Sequence, residues 1–238
     1  MSGPYERFTQ MTEAELERHE GGDTKDGWYL LAYGDEYFVS RHNRIEFVDF
    51  EYRLSSLAWL RGKIAKSIDA ELTELREARE SGSHRVAGWE GESDMMLDES
   101  TYVLDTSTRQ ISAGVIVVAA VAALESLMNR LLDQSGDEDL HRAGLTRKAR
   151  VLAERWQDTV DRQELEDHVS WLRERRNSFA HRLIDDIDSQ WRSHPATWDF
   201  DDEAADEALE RVSAAAWLLE EGWEQHLTSQ RADARYVP

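Results

Sequence analysis

Fifteen consecutive residues, Gln110 to Leu124, carry no charge in a chain where 32% of the residues are Asp, Glu, Lys or Arg. Between Val115 and Ala123 this run is apolar nearly all the way round a helix, the signature of an element surrounded by others. Ser112 and Gly114 interrupt it, and it is shorter than the roughly 20 residues that span a bilayer. It therefore predicts the central helix of a bundle. Ser107 and Gln110 form a capping box for its start, and Gly136 stops it after about Gln134.

The segments around it are helical by the same reasoning. Phe50, Leu54, Leu57, Leu60, Ile64, Ile68, Leu72 and Leu75 recur at steps of three and four, as on one helix face, and the helix they define ends near Ser81-Gly82-Ser83. Residues 81 to 100 read as a Gly/Ser/acidic connector. Thr146 caps a shorter helix with Ala149, Leu152 and Trp156 inward, and Asp161 with Glu164 caps the next. Asp185 to Phe200, with His194-Pro195, reads as an irregular loop. A last helix follows Asp201, with Ala205, Leu209, Val212, Ala216, Leu219 and Trp223 on one stripe.

Near the N-terminus, Thr12-Glu13-Ala14-Glu15 caps a short polar helix ending at Gly21-Gly22. Trp28 to Ala32 and Tyr37 to Ser40 flank a turn and predict a small β-hairpin, with a third strand at Arg44 to Val48. The expectation is a mainly α protein: an N-terminal accessory region over residues 1–99, with a short helix, hairpin and long helix, and an antiparallel helical bundle over residues 100–230.

Composition bounds the partners. Asp and Glu number 49 against 28 Lys and Arg, a formal charge of −21. Such a surface repels nucleic acid at low salt, where binding depends on cations that neutralise phosphates. Only Lys25, Lys63, Lys66 and Lys148 are lysines. A carboxylate-rich, lysine-poor chain fits a high-salt cytoplasm, where screening shrinks to a few ångström and net charge says little about partners. The absence of cysteine excludes disulfides, zinc-thiolate sites and thiol nucleophiles. No signal peptide is evident at the N-terminus, so the expected location is the cytoplasm, with no membrane contact.

The chemistry-bearing stretch is Arg176-Asn177-Ser178-Phe179-Ala180-His181. On its helix the apolar stripe is Leu165, Val169, Leu172, Phe179 and Leu183, and the member missing between Leu172 and Phe179 is position 176. Arg176 thus stands where the pattern requires a buried residue, and a buried guanidinium needs a partner. Glu125, the first charge after the uncharged run, is the candidate. Two readings remain open: an interhelical ion pair that fixes bundle register, or an arginine held ready for chemistry. Five residues set Arg176 and His181 about 140° apart on an ideal helix. They converge if the arginine bends round, if the helix end unwinds, or if a second protomer completes the site.

These residues resemble the R-x4-6-H signature of HEPN domains, in which a polar residue, often asparagine, follows the arginine. Glu125-x4-Arg130 resembles the E-x4-K element of several HEPN ribonuclease groups, with arginine in place of lysine. The resemblance covers about residues 100 to 230. It implies an HEPN-like bundle and a dimeric, metal-independent endoribonuclease of toxin or antiviral-defence type. RNA and possible antitoxin proteins are its implied partners, and no cofactor is needed. His181 would move protons to and from the ribose 2'-hydroxyl and the leaving 5'-oxygen. Arg176 would stabilise the phosphorane, Asn177 would orient one of the two, and the product would carry a 2',3'-cyclic phosphate. The tyrosine that often follows the histidine by two positions is Leu183 here, which removes that modification site. Many domains of this kind are non-catalytic interaction or RNA-binding modules, the alternative reading.

Arg173, Arg175 and Arg182 beside the motif, with Arg147, Lys148 and Arg150, form either an RNA-phosphate path or a solvated, ion-paired face. Asp185, Asp186 and Asp188 lack the glycine-containing spacing of a calcium loop, and the histidines have no metal-ligand spacing. Trp59, Trp156, Trp171 and Trp217 are expected in the core or an interface, and Trp191 and Trp198 either stack on bases or pack over the bundle end.

Overall fold

The computed structural model describes residues 37–134, 138–189 and 200–234; the side chains of Glu138, 180–189 and 232–234 are outside that description. The short polar helix and the first strand of the expected hairpin lie outside the described residues. Six α-helices follow one another among the described residues: α1 (Ile45–Ser81), α2 (Glu90–Tyr102), α3 (Arg109–Gln134), α4 (Leu145–Arg155), α5 (Arg162–Ser189) and α6 (Asp202–Ala234). A π-helical stretch, Val103–Thr108, joins α2 to α3, and a 3-10 turn, Glu138–Arg142, precedes α4. No strand occurs among the described residues.

α3 is the centre, as its composition requires. Ile116, Val117, Ala120, Val121, Leu124, Met128 and Leu131 are essentially sealed from solvent, and α1, α5, α6 and α4 pack around them. The helices come close where side chains vanish. A Cβ on Gly114 would lie 2.0 Å from Phe179 Cε2 on α5, and one on Gly222 of α6 would lie 2.6 Å from Val160 Cγ2. Gly114, which interrupts the apolar run in sequence, is therefore where the Phe179 ring of the motif helix lies against the backbone of the central helix.

Two start signals read from sequence hold. Asp161 Oδ1 accepts the Gln163 and Glu164 N–H groups at 2.9 and 3.1 Å at the start of α5. Asp201 Oδ1 accepts the Ala204 N–H at 2.8 Å ahead of α6. α1 stops where expected, because Gly82 takes φ 70° and gives its N–H to the Arg79 carbonyl. Thr146 is not a cap: α4 begins after Gly144, without a side-chain cap.

Four expectations need correction. Arg44 to Val48 is not a strand but the start of α1, with Phe47, Phe50 and Leu54 turned into the core. Tyr37 to Ser40 is irregular. The N–H groups a strand would offer a neighbour go to carboxylates instead: Ser40 to Glu51 Oε2 at 2.9 Å, and Arg41 and His42 to buried Glu220 at 3.1 Å. The acidic connector before residue 100 contains α2, so Ser107 starts no helix; Glu90–Gln134 runs as 45 helical residues. By length and composition that helix could cross a membrane, yet 56% of its most apolar window is buried inside the bundle. Finally, α5 continues through Asp185 to Ser189, where a loop was expected.

The division at residue 99 does not match the packing. It falls inside this continuous helix, and Phe38, Phe47, Phe50, Leu54 and Ala58 share one core with α3, α5 and α6. Beyond about Leu60, α1 leaves that core and runs beside α2 as a helical arm. Its turn is fastened by Asp94, which takes His84 Nε2 at 2.7 Å and Arg85 Nε at 2.9 Å; the Arg85 and His84 hydrogen bonds hold the Asp94 carboxyl down at about 2.

Close approach at Gly114 makes a test. Gly114→Ala is expected to destabilise by about 1–3 kcal/mol from overpacking against Phe179. Gly91→Ala, on open α2 surface, is expected to stabilise by about 0.5–1 kcal/mol through helix propensity. Urea denaturation of both variants checks the opposite signs.

Candidate functional site

Three helices bring charged side chains to one place. On α4, Leu145, Lys148, Ala149 and Leu152 share the buried face. On α5, Leu165, Val169 and Leu172 are fully buried and Phe179 nearly so, which puts Arg176 toward α3. On α3, Glu125 follows the uncharged run and precedes buried Leu127, Met128 and Leu131. Its Oε1 accepts Lys148 Nζ at 2.6 Å, and its Oε2 accepts Arg176 Nη1 at 3.5 Å. The partner proposed for Arg176 from the stripe is thus the one it meets.

Exposure decides the roles within this triad. The Lys148 side chain is 0% exposed, Glu125 29% and Arg176 33%. A lysine sealed from water needs its counter-charge, whereas the arginine keeps a third of its surface in solvent. The arginine contact is also the looser one, longer than the 2.7–2.9 Å of a tight charge-assisted bond. The other end of the guanidinium, Nη2, lies 3.4 Å from Asn177 Oδ1, so Arg176 and Asn177 lie side by side.

Other expected members part company with the triad. Arg130 pairs with Asp49 of α1, because five residues on α3 turn it away from Glu125. Lys148 faces inward and is no part of a phosphate path; its charge is spent on Glu125. Arg147 is exposed on α4. Arg173 reaches Thr146 Oγ1 at 3.4 Å and Glu174 at 3.6 Å, with 43% of its side chain exposed. The Arg175 guanidinium lies 5.1 Å from the Trp171 ring centre, and Arg211 of α6 lies 4.8 Å from the same ring. The side chains of His181 and Arg182 lie outside the described residues, but their backbone is helical and α5 runs on to Ser189. Unwinding of the helix end therefore does not bring His181 round to Arg176.

Lys148 is the candidate-site residue the sequence reading misplaced, and Arg211, which shares the Trp171 ring with Arg175, the neighbour it missed. Lys148 carried the same signal as Arg176, a charge on an apolar stripe, visible once Leu145 is taken as the first residue of that stripe. Arg211 had no local signal, since its link to Trp171 crosses between helices. Trp156 and Trp217 fall as expected, Trp156 buried against Trp223 at 5.9 Å and Trp217 stacked on Phe38 at 5.8 Å, whereas Trp59 is half-buried outside the core, with Lys63 Nζ 5.5 Å from its ring centre. Trp191 and Trp198 lie outside the described residues. No family model matches the chain, and neither curated proteins nor solved structures give a significant match.

The triad predicts an asymmetry. Glu125→Gln strands the Lys148 ammonium; for a fully buried pair this costs about 3–5 kcal/mol, and the exposure of Glu125 reduces it to about 2–3 kcal/mol. Lys148→Met leaves a carboxylate that still has Arg176 and water, and is expected to cost less. Combining the two should recover most of the loss, as chemical denaturation of the three variants will reveal.

His168, next to the Trp171 pair of arginines, gives a pH signature. Burial, helped by Arg211, holds its imidazole below the usual histidine range, and its Nδ1 has no hydrogen-bond partner among the described residues. The unfolded chain takes up this proton near pH 6.5 and the folded one only at lower pH. Stability is therefore full above about pH 6.5 and falls as pH drops toward the depressed folded value. Burial lowers His226 in the same direction. The loss of urea midpoint between about pH 7 and 5.5 should be shallower in His168→Gln.

Proposed function

We propose that the protein is a metal-independent endoribonuclease of HEPN type, dimeric, with an active site composed of Arg176, Asn177 and His181 from two protomers. One observation carries the reading: Arg176 occupies a core-stripe position yet stays one-third exposed, loosely held by a carboxylate that buried Lys148 already neutralises. If the guanidinium swings toward a phosphate, Glu125 keeps its ion pair and no uncompensated charge is left behind. An arginine that served only to fix helix register would be bound tightly and desolvated.

The roles follow from the side-chain chemistry. Arg176 neutralises the non-bridging oxygens as the phosphorane forms, by charge-assisted hydrogen bonds that strengthen with developing charge. His181 removes the 2'-hydroxyl proton or protonates the 5'-oxygen, work suited to a group titrating near neutrality. Asn177 positions the phosphate or the imidazole. His181 stands about 140° around the helix from Arg176, and α5 is unbroken at that point. The remaining routes are a bent Arg176 or a partner protomer; the second lets two motifs complete each other without distorting either helix. Arg173, Arg175 and Arg147 at the rim would guide RNA in the high salt that this composition suits.

One observation favours a second reading. Both oxygens of Glu125 are taken by cations of the same chain, which by itself describes a helix-joining triad in a non-catalytic HEPN-like interaction or RNA-binding module.

The test is cleavage of end-labelled RNA at high salt in EDTA. Wild type is expected to give 2',3'-cyclic phosphate ends, and His181→Ala to lose about a hundred- to ten-thousand-fold in rate with its denaturation midpoint unchanged. Equal cleavage by the two proteins, or none by either, would leave the module reading standing.

A further inference from the structure

The helical arm carries the densest exposed apolar surface among the described residues. Trp89 is 63% exposed, Met95 62%, Met96 64% and Tyr102 66%, and Val103 is 45% exposed. Only Leu97 of α2 is buried, facing α1. The opposite side of α2 is built regularly. Trp89, Met96 and Val103 recur every seven residues and form one ridge; Met95 and Tyr102, also seven apart, form a second. Glu92 and Glu99 fall between the ridges, about 40–60° round the helix from Met96.

These two glutamates differ from the carboxylates beside them. Asp94 is bound by Arg85 and His84, Asp98 by Arg79, and Asp105 by Arg109. Glu92 and Glu99 are exposed and make no ion pair with any described residue. The arm thus presents an unneutralised acidic row between two apolar ridges, each including a methionine that can repack around varied shapes.

We infer that this face of α2 docks a basic amphipathic helix from a protein partner, whose lysines or arginines pair with Glu92 and Glu99 while its apolar residues settle on Trp89, Met96 and Val103. Charge selects this occupant. A second copy docked by the same face would set Glu92 and Glu99 against their own equivalents, and an anionic lipid surface would meet the same repulsion. A cationic helix with apolar flanks satisfies both ridges and the row at once. The inference does not depend on the ribonuclease reading, since the arm stands apart from Arg176 and Glu125.

The experiment uses the full chain and a fluorescein-labelled 20-residue Leu/Lys peptide with leucines at helical spacing, followed by fluorescence anisotropy. A peptide of equal composition in scrambled order controls for the charge of the chain. Wild type is expected to bind the ordered peptide at least tenfold more tightly than the scrambled one. Met96→Glu with Val103→Glu should remove that preference. Glu92→Lys with Glu99→Lys should weaken Leu/Lys binding at least tenfold and create binding of a Leu/Glu peptide. Glu71→Lys with Glu74→Lys, an equal charge change on the α1 side of the arm, should leave the preference in place. Equal binding of ordered and scrambled peptides, or equal loss in both reversal variants, would overturn the inference. So would a dimer in sedimentation equilibrium that Met96→Glu with Val103→Glu dissociates, or flotation with phosphatidylglycerol vesicles that the same variant abolishes.

Discussion

Burial of α3 on nearly every side is the constraint from which the rest of the structure follows. A helix with Ile116, Val117, Ala120, Val121 and Leu124 turned in different directions cannot satisfy them against one neighbour. It needs α1, α5 and α6 around it together, with α4 closing over its C-terminal half. The requirement also dictates where small residues fall. Gly114 lets the Phe179 ring lie on the α3 backbone, and that contact fixes the height of α5 along α3. One turn before Phe179 on the same helix, Arg176 reaches along α3 to Glu125. The triad is thus built into the side of the core, with Leu127, Met128 and Leu131 buried beyond Glu125 on α3 and Lys148 sealed behind it.

Much of this was legible because it depends on periodicity. The central helix, α1 and α6 were evident from apolar residues at steps of three and four, and the starts of α5 and α6 from Asp161 and Asp201. The pairing of Glu125 with Arg176 was readable for the same reason: a charge on a buried stripe must find an opposite one. Lys148 shows the limit of the method. Its stripe was read from Ala149 onward, so the lysine seemed to stand outside it and was assigned to solvent.

What sequence concealed was mostly structure held by long-range polar contacts or by one-sided packing. Tyr37 to Ser40 have strand-like composition, but the Ser40 N–H meets the Glu51 carboxylate and the Ser40 hydroxyl meets Glu220, 180 residues away. α2 was hidden for a different reason. A helix in the core advertises itself by a buried stripe; α2 buries only Leu97, so its apolar residues fall on the solvent side and break the expected pattern. Arg130 was misjudged because E-x4-R matches a spacing without stating a direction, and on a helix that spacing separates the two side chains.

The arrangement of Glu125 between two unequal cations ties stability to the proposed function. A carboxylate shared by one buried and one half-exposed cation has a firm partner and a releasable one. Removing the carboxylate leaves Lys148 without compensation and damages the fold. Withdrawing Arg176 toward an incoming anion leaves the Lys148 pair intact and exposes little new apolar surface. The two distances, 2.6 and 3.5 Å, lie in the order this division of labour requires. A charge can remain mobile at the edge of a packed core only when another charge, deeper and more tightly held, carries the structural role in its place.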